Sequence, residues 1–199
     1  MGVLLEIHTI ITSMILVAVS EMGDKTQLLA FSLAAKFKQP WAVMAGIFTA
    51  TIFNHALAAY AGEWISHSLR SDILSWILGI SFILFGFWTL KPDDLEASEK
   101  GHGLGAYFAT TVLFFFAEMG DKTQLATVAL GAKYQSALPV TMGTTMGMMI
   151  SDGLAVFVGE KLAEKISMKW IRWIAASLFF LFGVLFIFTE AMQLSEHLI

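Results

Sequence analysis

The residues best suited to chemistry in this chain are eight consecutive ones that occur twice. The octapeptide EMGDKTQL spans residues 21–28 and recurs residue for residue at 118–125. Each copy supplies two carboxylates, an ammonium group, a hydroxyl and a side-chain amide. Oxygen-rich sets of this kind suit hard divalent cations such as Ca²⁺, Mn²⁺ or Mg²⁺. The doubled octapeptide therefore predicts a binding site for a divalent metal ion.

Helical spacing predicts how the two copies build one site. At about 100° per residue, Glu21 and Asp24 point about 60° apart on one helix face, and the second copy repeats this spacing. We expect the two faces to meet and to line a single cavity. The predicted metal ligands are Glu21, Asp24, Glu118 and Asp121, and the predicted neutral oxygen donors beside them are Thr26, Gln27, Thr123 and Gln124.

The composition places this motif in a membrane protein. Of 199 residues, 57% are hydrophobic and 14% are charged, whereas a soluble domain is about 45–50% apolar and about 25% charged. The mean hydropathy is +0.72. A soluble core of this size cannot hide so much apolar surface. Soluble domains, nucleic-acid-binding proteins and disordered chains are therefore excluded, and the expected surroundings are membrane lipid.

The duplication extends well beyond the octapeptide. Matching residues recur over most of the chain at an offset of 97, the difference between positions 118 and 21. Each copy holds three apolar segments without the alternating pattern of barrel strands, so we predict an all-α integral membrane protein with six transmembrane helices. These segments lie at about 4–36, 40–61, 73–90, 104–133, 137–158 and 170–190.

An odd number of spans in each copy determines the topology. The second copy must enter from the opposite side of the membrane, which predicts two inverted three-helix repeats, 1–92 and 104–199, joined by a loop at 93–103. Eight loop Lys and Arg residues fall on the side of this loop and two on the other side. The positive-inside rule then places the loop in the cytoplasm and both termini outside, in a multi-pass protein of the plasma (inner) membrane.

Both motifs are expected near the middle of the membrane. A straight helix over residues 4–36 would rise about 48 Å, against a hydrocarbon core of about 30 Å. The middle of this segment lies next to Glu21, and the middle of the corresponding second segment lies beside Glu118. We predict a break or strong tilt around Gly23 and Gly120, because broken helices with polar ends at the midplane are common in transporters.

A purely structural role for the motif is the alternative. Glu21 and Lys25 have the i, i+4 spacing of a helical ion pair, and so do Glu118 and Lys122. However, each motif has a further carboxylate without a local partner. A charge at mid-bilayer costs at least about 2.5–3.5 kcal/mol, and such residues usually mark ion pathways. We therefore favour an ion site whose charge is tuned by Lys25 and Lys122.

The second span of each copy adds a pair of polar residues that differs between the copies. Asn54 and His55 align with Ser151 and Asp152, inside apolar surroundings. Asp152 is predicted to be a further cation ligand or a proton relay. His55 is either a ligand or relay or a packed core residue, because a single histidine does not decide between them.

The doubled E-x-G-D-[KR]-[TS] motif, present here at 21–26 and 118–123, resembles that of the Gdt family of divalent cation/proton antiporters. This family includes eukaryotic Golgi Ca²⁺/Mn²⁺ transporters and bacterial manganese exporters of the MneA type. The resemblance covers essentially the whole chain. It implies that Mn²⁺ or Ca²⁺ is transported and that the motif carboxylates bind it, namely Glu21, Asp24, Glu118 and Asp121.

The resulting hypothesis is a secondary transporter that exports divalent cations, with Mn²⁺ first and Ca²⁺ second, in exchange for protons. Protons and the dication would compete for the same carboxylates while the inverted halves alternate their exposure. An enzyme is not predicted, because the chain has no H-E-x-x-H motif or nucleophile–base set, and no resident cofactor is expected. Two alternatives remain, namely an exporter of small organic cations such as amino acids, and a channel.

Overall fold

The computed structural model describes residues 2–91, 105–163 and 168–196. The described part is all-helical, as predicted, and it contains eight α-helices. The predicted connecting loop at 93–103 lies outside the described residues. The helices are α1 (Gly2–Glu21), α2 (Lys25–Phe37), α3 (Pro40–Ser68), α4 (Ser71–Leu90), α5 (Ala106–Glu118), α6 (Lys122–Tyr134), α7 (Ala137–Ala163) and α8 (Met168–Glu196).

The first apolar segment of each copy is two helices rather than one. Residues 22–24 separate α1 from α2, and residues 119–121 separate α5 from α6. Gly23 and Gly120 lie within these breaks with φ angles of +80° and +79°. Glycine adopts this backbone conformation without the steric penalty that a Cβ atom brings. The predicted break at each glycine is confirmed.

The helices of the two copies interdigitate in the bundle instead of forming two separate halves. The first helix of each copy lies on the central helix of the other copy, α1 on α7 and α5 on α3. In addition, α3 packs on α6 and on α7, while α4 packs along α8. The bundle thus consists mainly of contacts between copies.

The outer surface of the bundle is apolar. In the described part, four helical segments are long and apolar enough to cross a membrane, namely Gly2–Glu21, Pro40–Ser68, Ile73–Leu90 and Arg172–Thr189. Large apolar side chains point outward from them, including Trp41, Phe53 and Phe87. Contiguous exposed apolar surface of this extent requires an apolar environment. The chain is therefore a multi-pass membrane protein.

Glycines allow α3 and α6 to approach with their backbones in contact. A Cβ atom at Gly131 would overlap the carbonyl oxygen of Ala59, and one at Gly62 would overlap that of Val128. Small residues at helix interfaces permit such close packing in membrane proteins. This contact joins the central helix of one copy to a broken helix of the other.

Replacing Gly131 by alanine is expected to lower the thermal stability of the protein in detergent, by about 1–3 kcal/mol in the free energy of unfolding. The added methyl group meets backbone atoms, which cannot rotate away as a side chain would. The matched control is Gly153→Ala, where the new Cβ would meet only Met44 Cε, at 3.5 Å. Equal melting temperatures for the two variants would contradict the importance of this backbone contact.

Candidate functional site

The two helix breaks have the same internal hydrogen bond. The Gly23 amide donates to Gln27 Oε1 at 2.7 Å, and the Gly120 amide donates to Gln124 Oε1 at 2.6 Å. Both glutamines were expected as oxygen donors to a cation, but this oxygen instead satisfies a backbone amide of the break. Their direct contact with an ion remains a prediction.

Each break ends in an aspartate at the start of the next helix. Asp24 and Asp121 are the N-cap residues of α2 and α6, with extended backbone angles. Neither side chain hydrogen-bonds its own helix N-terminus. The positive end of the helix dipole still favours a carboxylate at this position. Both carboxylates instead interact with the lysine of the other copy of the motif.

The lysines of the motif pair across the copies. Lys25 Nζ lies 3.2 Å from Asp121 Oδ1, and Lys122 Nζ lies 2.7 Å from Asp24 Oδ1. The expectation that Glu21 and Asp24 lie on one helix face is therefore wrong, and the observed partners of both lysines are aspartates of the other copy. Its physical reason is the break, because α1 ends at Glu21 and helical spacing does not extend across residues 22–24.

Three of the four predicted carboxylate ligands come together. Glu21, Glu118 and Asp121 are buried, and one oxygen of each lies within 4.8 Å of the others. We call these three residues the carboxylate cluster. Bonds from Ca²⁺ to oxygen are about 2.3–2.6 Å long, so one ion reaches oxygens up to about 5 Å apart. Asp24, the fourth predicted ligand, lies against Lys122 instead.

The two glutamates of the carboxylate cluster have different surroundings although their motifs are identical. Thr26 donates to Glu21 Oε2 at 2.7 Å and Thr123 donates to Glu21 Oε1 at 2.6 Å. Both oxygens of Glu118 lack a hydrogen-bond partner among the described residues. Thr26 and Thr123, predicted as neutral oxygen donors to the cation, therefore both donate hydrogen bonds to Glu21. The oxygens of Glu118 stay available for an ion.

The central helices α3 and α7 each carry a buried polar residue that the sequence analysis singled out. Asp152 and His55 are fully buried, and neither side chain has a hydrogen-bond partner within the described part of the chain. Asp152 is in electrostatic range of Glu21 and Glu118. The metal-ligating group found among the described residues contains neither Asp152 nor His55.

The neighbours of these two residues hold the broken helices in place, a role that sequence reasoning missed. Asn54 Nδ2 donates to the carbonyl oxygen of Phe115 at 3.0 Å. Gln27 Nε2 donates to the carbonyl oxygen of Ser151 at 3.0 Å and lies 3.3 Å from its hydroxyl. The signal available in the sequence is the alignment of Asn54 with Ser151, two polar residues at one register of the duplication.

Comparison with known proteins identifies the family of the chain. The sequence profile of a family described as "Divalent cation/proton antiporter GDT1" matches residues 9–97 and again residues 106–194. Each match contains one helix break and one copy of the motif. The chain belongs to the GDT1 family. This family consists of cation transporters rather than enzymes, and its description names divalent cations and protons.

Individual GDT1 relatives resemble the chain over most of its length. A "Putative manganese exporter" of Vibrio cholerae is 44% identical over 169 residues, which cover 84% of this chain and 84% of the relative. "GDT1-like protein sll0615" of Synechocystis is 31% identical over 86% of this chain and 92% of its own length. "GDT1-like protein 5" of Arabidopsis thaliana is 30% identical over 92% and 96%, respectively. No solved structure matches the chain.

Replacing Thr123 by valine is expected to slow divalent-cation transport by this GDT1 protein about tenfold. Valine keeps the shape of threonine but removes the hydroxyl that donates to Glu21 Oε1 across the copies. The measurement is the initial rate of Mn²⁺ flux in proteoliposomes. Thr123→Ser is the control, since it retains a hydroxyl and should keep most of the rate. Full activity of Thr123→Val would show that this hydrogen bond does not position Glu21 for transport.

Proposed function

We propose that the protein exports Mn²⁺ from the cytoplasm in exchange for protons, with Ca²⁺ as the second candidate substrate. Membership of the GDT1 family and likeness to the named manganese exporter support this proposal. The observation that carries it is the carboxylate cluster, in which both copies of the motif contribute buried oxygens. All three members of the cluster are carboxylates, which are hard oxygen ligands of the kind that suits Mn²⁺ and Ca²⁺.

The charge of the two motifs supports a dication as substrate. Four carboxylates and two ammonium groups leave a formal charge of −2 in the two octapeptides. One dication offsets this charge, and so do bound protons, so the two compete for the same oxygens. A buried excess of negative charge is unfavourable in a low-dielectric interior. Export of the metal ion would then require that protons enter from outside and replace it.

Six membrane crossings in two inverted repeats provide the proposed framework for alternating access. In this arrangement α1 with α2, and α5 with α6, each form one broken span. The repeats would comprise residues 1–92 and 104–199, with 93–103 in the cytoplasm and both termini outside the plasma (inner) membrane. The unequal exposure of the two lysines supports such a cycle, because the Lys25 side chain is 28% exposed and the Lys122 side chain is 3% exposed. The site is therefore more accessible beside Lys25.

The test is metal flux in proteoliposomes with and without an imposed proton gradient. We expect Mn²⁺ movement against its own gradient when protons flow the other way, together with measurable proton counterflow. Parallel vesicles with Ca²⁺ and with a cationic amino acid would rank the possible substrates. Flux of Mn²⁺ that ignores the proton gradient would contradict exchange and indicate a channel, and amino-acid flux without metal flux would contradict the metal substrate.

A further inference from the structure

A buried acidic side chain on α7, predicted above as either a cation ligand or a proton relay, lies outside the carboxylate cluster. Asp152 is 0% exposed, and both of its carboxylate oxygens lack a hydrogen-bond partner among the described residues. An ionised carboxylate without a donor or a counter-ion is strongly unfavourable in an apolar interior. Such a residue in a membrane-spanning helix usually belongs to an ion pathway.

Glu118 is likewise a buried carboxylate, and it interacts electrostatically with Asp152. Its two oxygens also have no hydrogen-bond partner within the described part, whereas Glu21 accepts bonds from Thr26 and Thr123. Electrostatic interactions connect Asp152 with both Glu118 and Glu21. Asp152 is thus adjacent to the carboxylate cluster without being one of its members.

The backbone around Asp152 is fixed relative to the first motif. Gln27 donates to the carbonyl oxygen of the preceding residue, Ser151, while its own side-chain oxygen accepts the amide of Gly23. One glutamine therefore connects α7 to the break between α1 and α2. This connection joins the backbone next to Asp152 to the first motif, whose Glu21 belongs to the cluster.

We propose that Asp152 and Glu118 form a second position for the transported dication, next to the carboxylate cluster. This inference rests on the proposed transport of a divalent metal ion. Glu118 belongs to both positions, so the ion moves between them without losing all of its carboxylate ligands at once. Asp152 is then a ligand of the ion after it leaves Glu21 and Asp121.

The second position is specific to one half of the protein. The residue aligned with Asp152 in the first copy is His55, which is also buried but carries no carboxylate. The identical motifs therefore face different central helices. The ion has an additional carboxylate on the α7 side of the cluster and none at the corresponding point of α3.

The test is equilibrium binding of Mn²⁺ to detergent-purified protein, measured from the paramagnetic resonance signal of free Mn²⁺. Asp121→Asn removes one ligand of the cluster and leaves the second position complete, so residual binding is expected. Adding Asp152→Asn to this variant should weaken the residual affinity at least about tenfold. Asp121→Asn with Asp152→Glu should retain it, because the carboxylate is preserved. Glu6→Gln, on the exposed face of α1, is the control for the loss of a remote carboxylate.

The outcomes separate this inference from the proposed function. If the unmodified protein binds no Mn²⁺, the proposed metal substrate is wrong. If the unmodified protein binds Mn²⁺ but Asp121→Asn retains no binding, or binds equally with and without Asp152, the second position is overturned. Size-exclusion profiles and melting temperatures show whether each variant is folded.

Discussion

Replacing Asp121 by asparagine is expected to reduce the proposed Mn²⁺ transport by roughly 100-fold or more. This carboxylate belongs to the carboxylate cluster and also pairs with Lys25 at 3.2 Å. Asparagine keeps the size of the side chain but removes one negative charge, so the cluster loses a ligand while Lys25 loses its partner. The measurement is the initial rate of proton-driven Mn²⁺ flux in proteoliposomes.

Two further variants test whether the loss of transport is specific to carboxylates of the motif. Glu6→Gln removes a carboxylate from the exposed part of α1, about 22 Å along the helix from Glu21, and should leave the rate unchanged. Asp24→Asn, at the equivalent position of the first motif, should also impair transport, because it leaves the Lys122 ammonium without the Asp24 carboxylate. Wild-type rates in Asp121→Asn would rule out the carboxylate cluster as the transport site.

Replacing Lys122 by methionine should destabilise the protein far more than replacing Lys25 by methionine. Lys122 is 3% exposed and its ammonium lies 2.7 Å from Asp24 Oδ1. Removing one member of a buried ion pair typically costs about 3–5 kcal/mol, because the other charge remains buried. Lys25 is 28% exposed and its ion pair is longer, at 3.2 Å, so water compensates part of its loss.

The stabilities of the two variants can be compared directly, because the two lysines occupy equivalent positions in identical octapeptides. Thermal unfolding of both variants in the same detergent measures the difference directly. A similar loss of stability in the two variants would contradict the unequal burial of the two crossed ion pairs. It would also contradict greater access to the site beside Lys25.

The sequence predicts the helices and the two helix breaks well, because these depend on local patterns. Apolar segments determine the spans, and the excess length of residues 4–36 together with Gly23 predicts the break. The crossed ion pairs could not be predicted in the same way. Helical spacing relates Lys25 to Glu21 along one helix, whereas the observed partner of Lys25 is Asp121, 96 residues away.

The difference between Glu21 and Glu118 is a second property that the motif alone cannot show. Both glutamates occur in identical octapeptides, so any difference must arise from the residues around them. Both motif threonines donate to Glu21, and Asp152 approaches from α7. One sequence sign of this asymmetry is the alignment of Asp152 with His55, which predicts that the copies differ without predicting how.

The exchange of packing partners between the copies has a consequence for how the protein is made. Chains are synthesised from the N-terminus, and their first parts can fold before the later parts exist. Here α1 packs on α7, and α3 packs on α5 and α6. Helices α1 and α3 therefore leave the ribosome before their main neighbours are available. Until the second half is inserted, Glu21 has no Thr123 hydroxyl and Asp24 has no Lys122 ammonium, so completing the polar interior is the final step of assembly in the membrane.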